Sequence, residues 1–234
     1  MKTIINLIYP PICPICKTIL PHDQKTICKP CMEELSLVTS PKCLKCGKQI
    51  ESKEQEYCFD CDRLPKSFIK GYPVYIYQEP LKKAILDFKY QNKREYADFF
   101  AKSIIFTYEE ELKHINPDGI VPIPLHQKKK KARGYNQAEL IAKIIGKTLE
   151  IPVFPKYIER STDTIPQKEL NSKERMKNLK NAFKISENKV QLKKVLLIDD
   201  IYTSGATIEA CTQILLMNGT NCVYYACIAI GNDI

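Results

Sequence analysis

Two adjacent carboxylates and a turn of small, hydroxyl-bearing residues follow an apolar run near the carboxyl end of the chain. Residues 195–198 are aliphatic, and Asp199 and Asp200 come directly after them. The turn that leads into the next predicted helix consists of Thr203, Ser204, Gly205, Ala206 and Thr207. A glycine turn at a helix amino terminus offers N–H groups to a phosphate, and paired carboxylates suit vicinal hydroxyls, directly or through a divalent metal ion. The pattern predicts a ribose-phosphate site; the alternative is a buried strand followed by a solvated acidic turn.

A second candidate anion site lies in the middle of the chain, where a basic turn precedes a predicted helix. Residues 128–133 contain five cationic side chains, and Asn136 is the predicted N-cap, with Glu139 three positions later. Backbone N–H groups and a guanidinium would here suit a pyrophosphate. The residues that would hold it are Arg133, Gly134, Tyr135, Asn136 and Gln137. For the four lysines alone, a solvated surface is the preferred interpretation.

Eight of the eleven cysteines form four C-x-x-C pairs in the first quarter of the chain. The pairs are Cys13/Cys16, Cys28/Cys31, Cys43/Cys46 and Cys58/Cys61. Four thiolates satisfy a tetrahedral zinc ion and leave no open position, so the spacing predicts two structural Zn²⁺ ions. Disulfides are the alternative, which a reducing cytoplasm disfavours. Each ion can be held by two sequential pairs, or the first pair can join the third in a cross-braced arrangement.

Length and composition divide the chain into two unequal parts. A chain of 234 residues accommodates one α/β domain and a small accessory domain, and we place these at residues 67–234 and 1–66. Residues 1–65 hold nine basic and eight acidic side chains, whereas residues 66–234 hold 27 and 19, so the basic excess belongs to the larger part. No apolar run reaches the roughly 18 residues of a membrane span, and no signal-peptide cleavage site is recognisable. We therefore expect a cytoplasmic protein with no membrane span.

Apolar runs that alternate with amphipathic segments predict an α/β fold with a mostly parallel sheet flanked by helices. The predicted strands are residues 72–77, 119–125, 152–158, 195–198 and 223–230, and the predicted helices begin near residues 81, 96, 138 and 208. Lys89 lies in a basic joint between the first two helices; it could reach a phosphate, but a solvated lysine is the preferred interpretation. The polar segment over residues 160–178 is too long for an ordinary connection and is typical of a lid.

The string from residue 195 to residue 207 resembles the signature of the type I phosphoribosyltransferases. The resemblance implies that Asp199 and Asp200 hold the ribose hydroxyls of phosphoribosyl pyrophosphate and that residues 203–207 cradle its 5-phosphate. Residues 133–137 would then be the pyrophosphate loop, and Mg²⁺ would bridge pyrophosphate and ribose oxygens. The lid would bring Arg160, Lys168 or Arg175 to the departing pyrophosphate.

Further motifs narrow the resemblance to the ComF family, competence-associated proteins with a zinc segment ahead of a phosphoribosyltransferase-like domain. The matching residues are Val121-Pro122-Ile123-Pro124-Leu125, Arg133-Gly134-Tyr135-Asn136-Gln137, Gln167, Arg175, Asn178 and Ala182-Phe183. The resemblance implies a phosphoribosyltransferase that uses phosphoribosyl pyrophosphate and Mg²⁺. It equally implies a non-catalytic module that binds single-stranded DNA or a DNA-uptake helicase at the inner membrane surface. The zinc ribbons are interpreted as docking or interaction modules; the alternative is a folded cap packed on the larger domain.

Overall fold

The computed structural model describes residues 10–21, 24, 26–160, 182–186 and 190–231. The helices in chain order are α1 (Lys29–Glu33), α2 (Phe59–Arg63), α3 (Leu81–Tyr90), α4 (Tyr96–Ile115), α5 (Gln127–Arg133), α6 (Gln137–Leu149) and α7 (Ala206–Met217). The strands are β1 (Lys70–Ile76), β2 (Gly119–Pro122), β3 (Ile158–Arg160), β4 (Phe183–Ile185), β5 (Lys194–Tyr202) and β6 (Cys222–Ile230). Within these residues, no helix is both long and apolar enough to cross a bilayer.

A four-stranded parallel sheet forms the centre of the molecule, in the order β1-β6-β5-β2. The middle strands β5 and β6 are buried over most of their length because both carry continuous apolar runs, as expected for a parallel sheet covered on two faces. Side chains from α3, α4 and α6 form the core on one face, and side chains from α7 form the core on the other. The predicted α/β fold with a mostly parallel sheet is confirmed.

The structure corrects three local predictions. β5 continues past its apolar run to Tyr202, so the two aspartates lie within the strand rather than after it. Residues 152–158 do not form a strand; Val153 makes a single parallel bridge to Ile120, and β3 begins only at Ile158. The basic run is helix α5 rather than a turn, because lysine is a good helix former and the His126 side chain caps the helix by accepting from the backbone N–H of Lys128.

The cysteine-rich part packs against both faces of the sheet. Residues 36–38 run antiparallel to edge strand β1, with the Val38 N–H donating to the Val74 carbonyl at 2.9 Å. The first ribbon (residues 10–35) buries Cys13 and Cys31 in the core that contains α3 and α4. The second ribbon (residues 41–63) buries its four cysteines in the core that contains α7. The chain therefore crosses the β1 edge between the two ribbons.

Candidate functional site

The paired aspartates lie near the carboxyl end of β5, where parallel sheets present their ligands. Asp199 is in register with Cys227 of β6, and its Oδ1 accepts a hydrogen bond from the Asp200 backbone N–H at 2.8 Å. Successive side chains of a strand point to opposite faces. The electrostatic neighbours of Asp199 include Arg160 and Cys211, on the α7 side of the sheet, whereas the Asp200 carboxylate pairs with Lys89 of α3.

Lys89 of α3 forms an ion pair with Asp200, with Nζ and Oδ1 2.9 Å apart. The two side chains are only 17% and 13% exposed, so this pair is largely withdrawn from solvent. The interpretation of Lys89 as a solvated lysine is therefore wrong. Because Asp200 Oδ1 is held by a cation from a different element, its carboxylate has a fixed orientation before any ligand arrives.

Asp199 lies in a less favourable place for a charge. Burial, followed by the neighbouring negative charge of Asp200, raises its pKa from 3.8 to about 7. Lys89 and Arg160 act in the opposite direction but do not compensate. The Asp199 carboxyl group therefore changes its protonation state near neutral pH, in a site where its neighbour is already paired with an ammonium group.

Arg160, the last residue of β3, brings a partly buried guanidinium towards Asp199. Burial lowers the pKa of this guanidinium, and the charge of Asp199 is among the influences that raise it. Its Nε is buried without a hydrogen-bond partner among the described residues, and its guanidinium lies 5.4 Å from the ring centroid of Phe183. A buried, unpaired donor next to a carboxylate is suited to an anionic or hydroxyl-bearing ligand.

The phosphate turn, residues 203–207, connects β5 to α7. Gly205 is the N-cap of α7 and has a φ of +71°. Because no side-chain hydrogen bond caps the helix there, its first N–H groups remain available to an anion. A Cβ at this position would overlap the ring of Tyr202, so only glycine fits both the backbone conformation and the space. The turn therefore leaves room and N–H donors for an anion at the amino end of α7.

The predicted pyrophosphate segment, residues 133–137, packs against the carboxyl end of α3. The Tyr135 hydroxyl donates to the Phe88 carbonyl, and Arg133 donates to the Gln137 side-chain oxygen. The Asn136 side chain accepts from the Ala138 N–H at 3.1 Å, which confirms it as the N-cap of α6. This packing places the segment beside the helix end that carries Lys89.

Two cavities border these elements. The smaller, about 230 Å³, lies between α3 and α5 and is lined by Lys89, Tyr90, Asn92, Lys129, Ala132 and Arg133. The larger, about 540 Å³, lies between the end of β2, α5 and the β3–β4 pair. Its charged lining residues are Lys130, Lys156, Glu159, Arg160 and Lys184, so cations outnumber carboxylates. Lys168 and Arg175, the other predicted lid cations, lie outside the described residues.

The eight ribbon cysteines form two groups, and the sulfur atoms of each group lie within 4.8 Å of one another. The groups are Cys13, Cys16, Cys28 and Cys31, and Cys43, Cys46, Cys58 and Cys61. Sulfur–sulfur distances of 3.6–3.7 Å recur in both groups, close to the roughly 3.8 Å edge of a tetrahedron with zinc–sulfur bonds of about 2.3 Å. The residues therefore fit two structural Zn²⁺ ions, and the pairing is sequential rather than cross-braced.

Known proteins match both the cysteine-rich part and the larger part of the chain. Residues 4–62 match the double zinc ribbon domain family. The chain is 30% identical to competence protein F of Haemophilus influenzae over 209 residues, covering 87% of this chain and 90% of that protein. The chain belongs to the ComF family. This ComF protein is also 28% identical to DNA utilization protein YhgH of Escherichia coli, over 95% of this chain and 98% of that protein. It is 27% identical to competence protein ComFC of Bacillus subtilis, over 86% of this chain and 82% of that protein.

Sequence reasoning missed some residues of the site in this ComF chain. Lys89 follows the buried Phe88 at the end of an amphipathic helix, and nothing in that pattern identifies Asp200, 111 positions later, as its partner. Ser67 was not identified from the sequence either, yet its N–H and hydroxyl both donate to the Glu209 carboxylate in the first turn of α7. Such partners become visible only when the sheet and its helices are assembled.

Proposed function

We propose that this ComF protein binds phosphoribosyl pyrophosphate with Mg²⁺ at the carboxyl end of β5 and acts in DNA uptake. The observation that carries the binding proposal is the succession of Asp199, Asp200 and the uncapped amino end of α7 along one strand–turn–helix unit. Carboxylates for ribose hydroxyls and N–H groups for a 5-phosphate are thereby supplied by one segment.

The surrounding cations support the same ligand. Lys89 holds the Asp200 carboxylate in place, and the Nε of Arg160, which has no hydrogen-bond partner among the described residues, can donate to a ligand oxygen. Lys130, Lys156 and Lys184 line the larger cavity and would neutralise a departing pyrophosphate. The Asp199 and Asp200 carboxylates offer the oxygen ligands that Mg²⁺ prefers, and the bound ion would neutralise charge on the pyrophosphate as the C1–O bond breaks.

Titration calorimetry with phosphoribosyl pyrophosphate and Mg²⁺ tests the binding proposal. We expect binding by the wild type and a loss of affinity of about tenfold or more when Asp199 and Asp200 are both replaced by Asn, because two charge-assisted hydrogen bonds are weakened. Asp98→Asn is the matched control, since Asp98 is an exposed carboxylate on α4 paired with Lys102. A wild type that produces no binding heat would overturn the proposal. If the wild type binds, an assay of pyrophosphate release in the presence of individual nucleobases would identify the acceptor.

A second candidate function is contact with single-stranded DNA during uptake. Helix α5 has no buried residue, and Lys128–Lys131 form no ion pair with any described carboxylate. The relatives are named for competence and for DNA utilization, which agrees with a ligand of this kind. Four exposed lysines without an ion-pair partner in the described part of the chain would bind phosphates without reading sequence.

Fluorescence anisotropy with a single-stranded oligonucleotide at several salt concentrations tests this second function. Each phosphate contact that is lost should reduce the slope of log affinity against log salt by about 0.7. We expect a clearly smaller slope when Lys128, Lys129, Lys130 and Lys131 become Gln. Replacement of the exposed Lys82 and Lys83 on α3 is the control and should leave the slope unchanged. An unchanged slope in the α5 variant would exclude this helix as the DNA surface.

A further inference from the structure

Buried contacts run without interruption from the second zinc site to the phosphate turn. The Tyr225 hydroxyl of β6 donates to the carbonyl of Cys46, a ligand of that site, at 2.8 Å. The Tyr225 ring stacks on Tyr202 of β5, with centroids 5.0 Å apart and planes inclined by 7°. Phe68 packs edge-on against both rings, at 5.0 and 6.4 Å. We call Phe68, Tyr202 and Tyr225 the aromatic bridge.

The aromatic bridge ends directly under the phosphate turn. Tyr202 is the last residue of β5, and its ring occupies the space in which a Cβ of Gly205 would lie. Gly205, in its left-handed conformation, thus lies against a ring that stacks on Tyr225. Because all three rings are buried and stacked or edge-packed, a displacement at one end leaves the other end without its packing partner.

A second connection runs through the backbone that leaves the second ribbon. Lys66 Nζ donates to the Ser204 carbonyl at 3.3 Å. Ser67 donates to the Glu209 carboxylate twice, from its N–H at 2.8 Å and from its hydroxyl at 2.6 Å. These bonds hold the phosphate turn and the first turn of α7 to the segment that follows the last zinc ligand, Cys61.

The first ribbon has different neighbours. Cys13 and Cys31 share a core with Phe88 and Tyr96 of α3 and α4. Among the described residues, none of its hydrogen bonds reaches the phosphate turn. The two zinc sites have equivalent ligands and spacing, yet among the described residues only the second is connected to the phosphate turn by these contacts.

We propose that the second zinc site fixes the geometry of the phosphate turn, with Tyr225 and Tyr202 as positioning residues. A zinc ion held by Cys43, Cys46, Cys58 and Cys61 would fix the backbone around Cys46. The Cys46 carbonyl holds the Tyr225 hydroxyl, and the stacked rings carry that constraint to Gly205. Loss of this metal site or of the Tyr225 hydroxyl therefore loosens the turn. The expected weakening of phosphoribosyl pyrophosphate binding rests on the proposed function; the loosening itself does not.

Hydrogen–deuterium exchange of peptides that cover residues 202–210 tests the coupling. Tyr225→Phe removes only the hydroxyl and keeps the stacked ring, and Tyr224→Phe is the matched control because the neighbouring tyrosine lies outside the aromatic bridge. We expect exchange in 202–210 to rise about two- to tenfold in Tyr225→Phe, the effect of one buried hydrogen bond, and not in Tyr224→Phe. Calorimetry should show an affinity loss of similar size.

Cysteine replacement gives an independent measurement. Cys58→Ser in the second site and Cys28→Ser in the first occupy equivalent positions of the repeat. Cys58→Ser should raise exchange in 202–210 and Cys28→Ser should not; if Cys58→Ser does not fold, the tyrosine pair decides. Unchanged exchange in Tyr225→Phe, or an equal rise in Tyr224→Phe, overturns the proposal. If exchange behaves as expected but the wild type binds no phosphoribosyl pyrophosphate, the proposed function fails and the coupling stands.

Discussion

Asp199 should make the folded protein less stable as the pH rises through neutrality. Its pKa is 3.8 in the unfolded reference and about 7 in the folded chain. Between these values the folded state keeps a proton that the unfolded state has released, so the free energy of unfolding falls with increasing pH. At 1.36 kcal/mol per pKa unit the full effect is at most about 4 kcal/mol. About half of it, about 2 kcal/mol, is lost between pH values of about 5.5 and 8.5.

Urea unfolding of the wild type and of Asp199→Asn across this pH range measures the effect. Asn cannot ionise, so the variant should gain about 2 kcal/mol on the wild type between about pH 5.5 and 8.5. The measurements do not extend to lower pH, because protonation of the ribbon thiolates would release zinc there. Asp98→Asn removes an exposed carboxylate and should show no such gain. A stability difference between Asp199→Asn and the wild type that does not change with pH would refute the assigned burial of this charge.

Three further outcomes follow from the site and the ribbons. Lys89→Met should destabilise the fold by about 2 kcal/mol or more in urea unfolding, because Asp200 is left as a largely buried, unpaired charge. Adding Asp200→Asn should restore part of this loss of stability. Strictly additive effects of the two substitutions would show that the pair is not coupled. Gly205→Ala should abolish phosphoribosyl pyrophosphate binding measured by calorimetry and cost about 1–2 kcal/mol in stability, since a Cβ overlaps Tyr202 and φ is positive; wild-type affinity in this variant would contradict the phosphate cradle. Metal analysis of protein purified without chelator should find two zinc ions per chain, and Cys58→Ser should lower the content to one; a wild type free of zinc would exclude the ribbon assignment.

Local patterns predicted the parts of the site that depend on neighbouring residues. The apolar run of β5, the adjacent aspartates and the glycine turn lie within 13 consecutive positions, and the structure places them in one strand–turn–helix unit. The zinc ligands were predictable because C-x-x-C pairs and an eleven-residue spacing are properties of the local chain. The Asn136 cap was predictable for the same reason, since its side chain bonds a backbone group two residues away.

The lysine-rich run was predicted as a turn although its helix propensity and its cap favour a helix. Residues 128–131 were interpreted as part of a basic turn, yet consecutive lysines have good helix propensity and His126 provides the cap. The strand predicted over residues 152–158 failed for a related reason. Its β-branched residues suit a strand, but only Val153 reaches a partner in the sheet, at Ile120.

The sequence by itself determined which groups could bind metal, phosphate and ribose hydroxyls, because ligand type and short spacing are written in the local chain. Only the tertiary structure decided how these groups are held. The Lys89–Asp200 ion pair, the bond from Tyr225 to Cys46 and the bonds from Ser67 to Glu209 join residues more than 100 positions apart. Such contacts depend on which helix covers which face of the sheet, and periodicity within one segment contains no information about that arrangement.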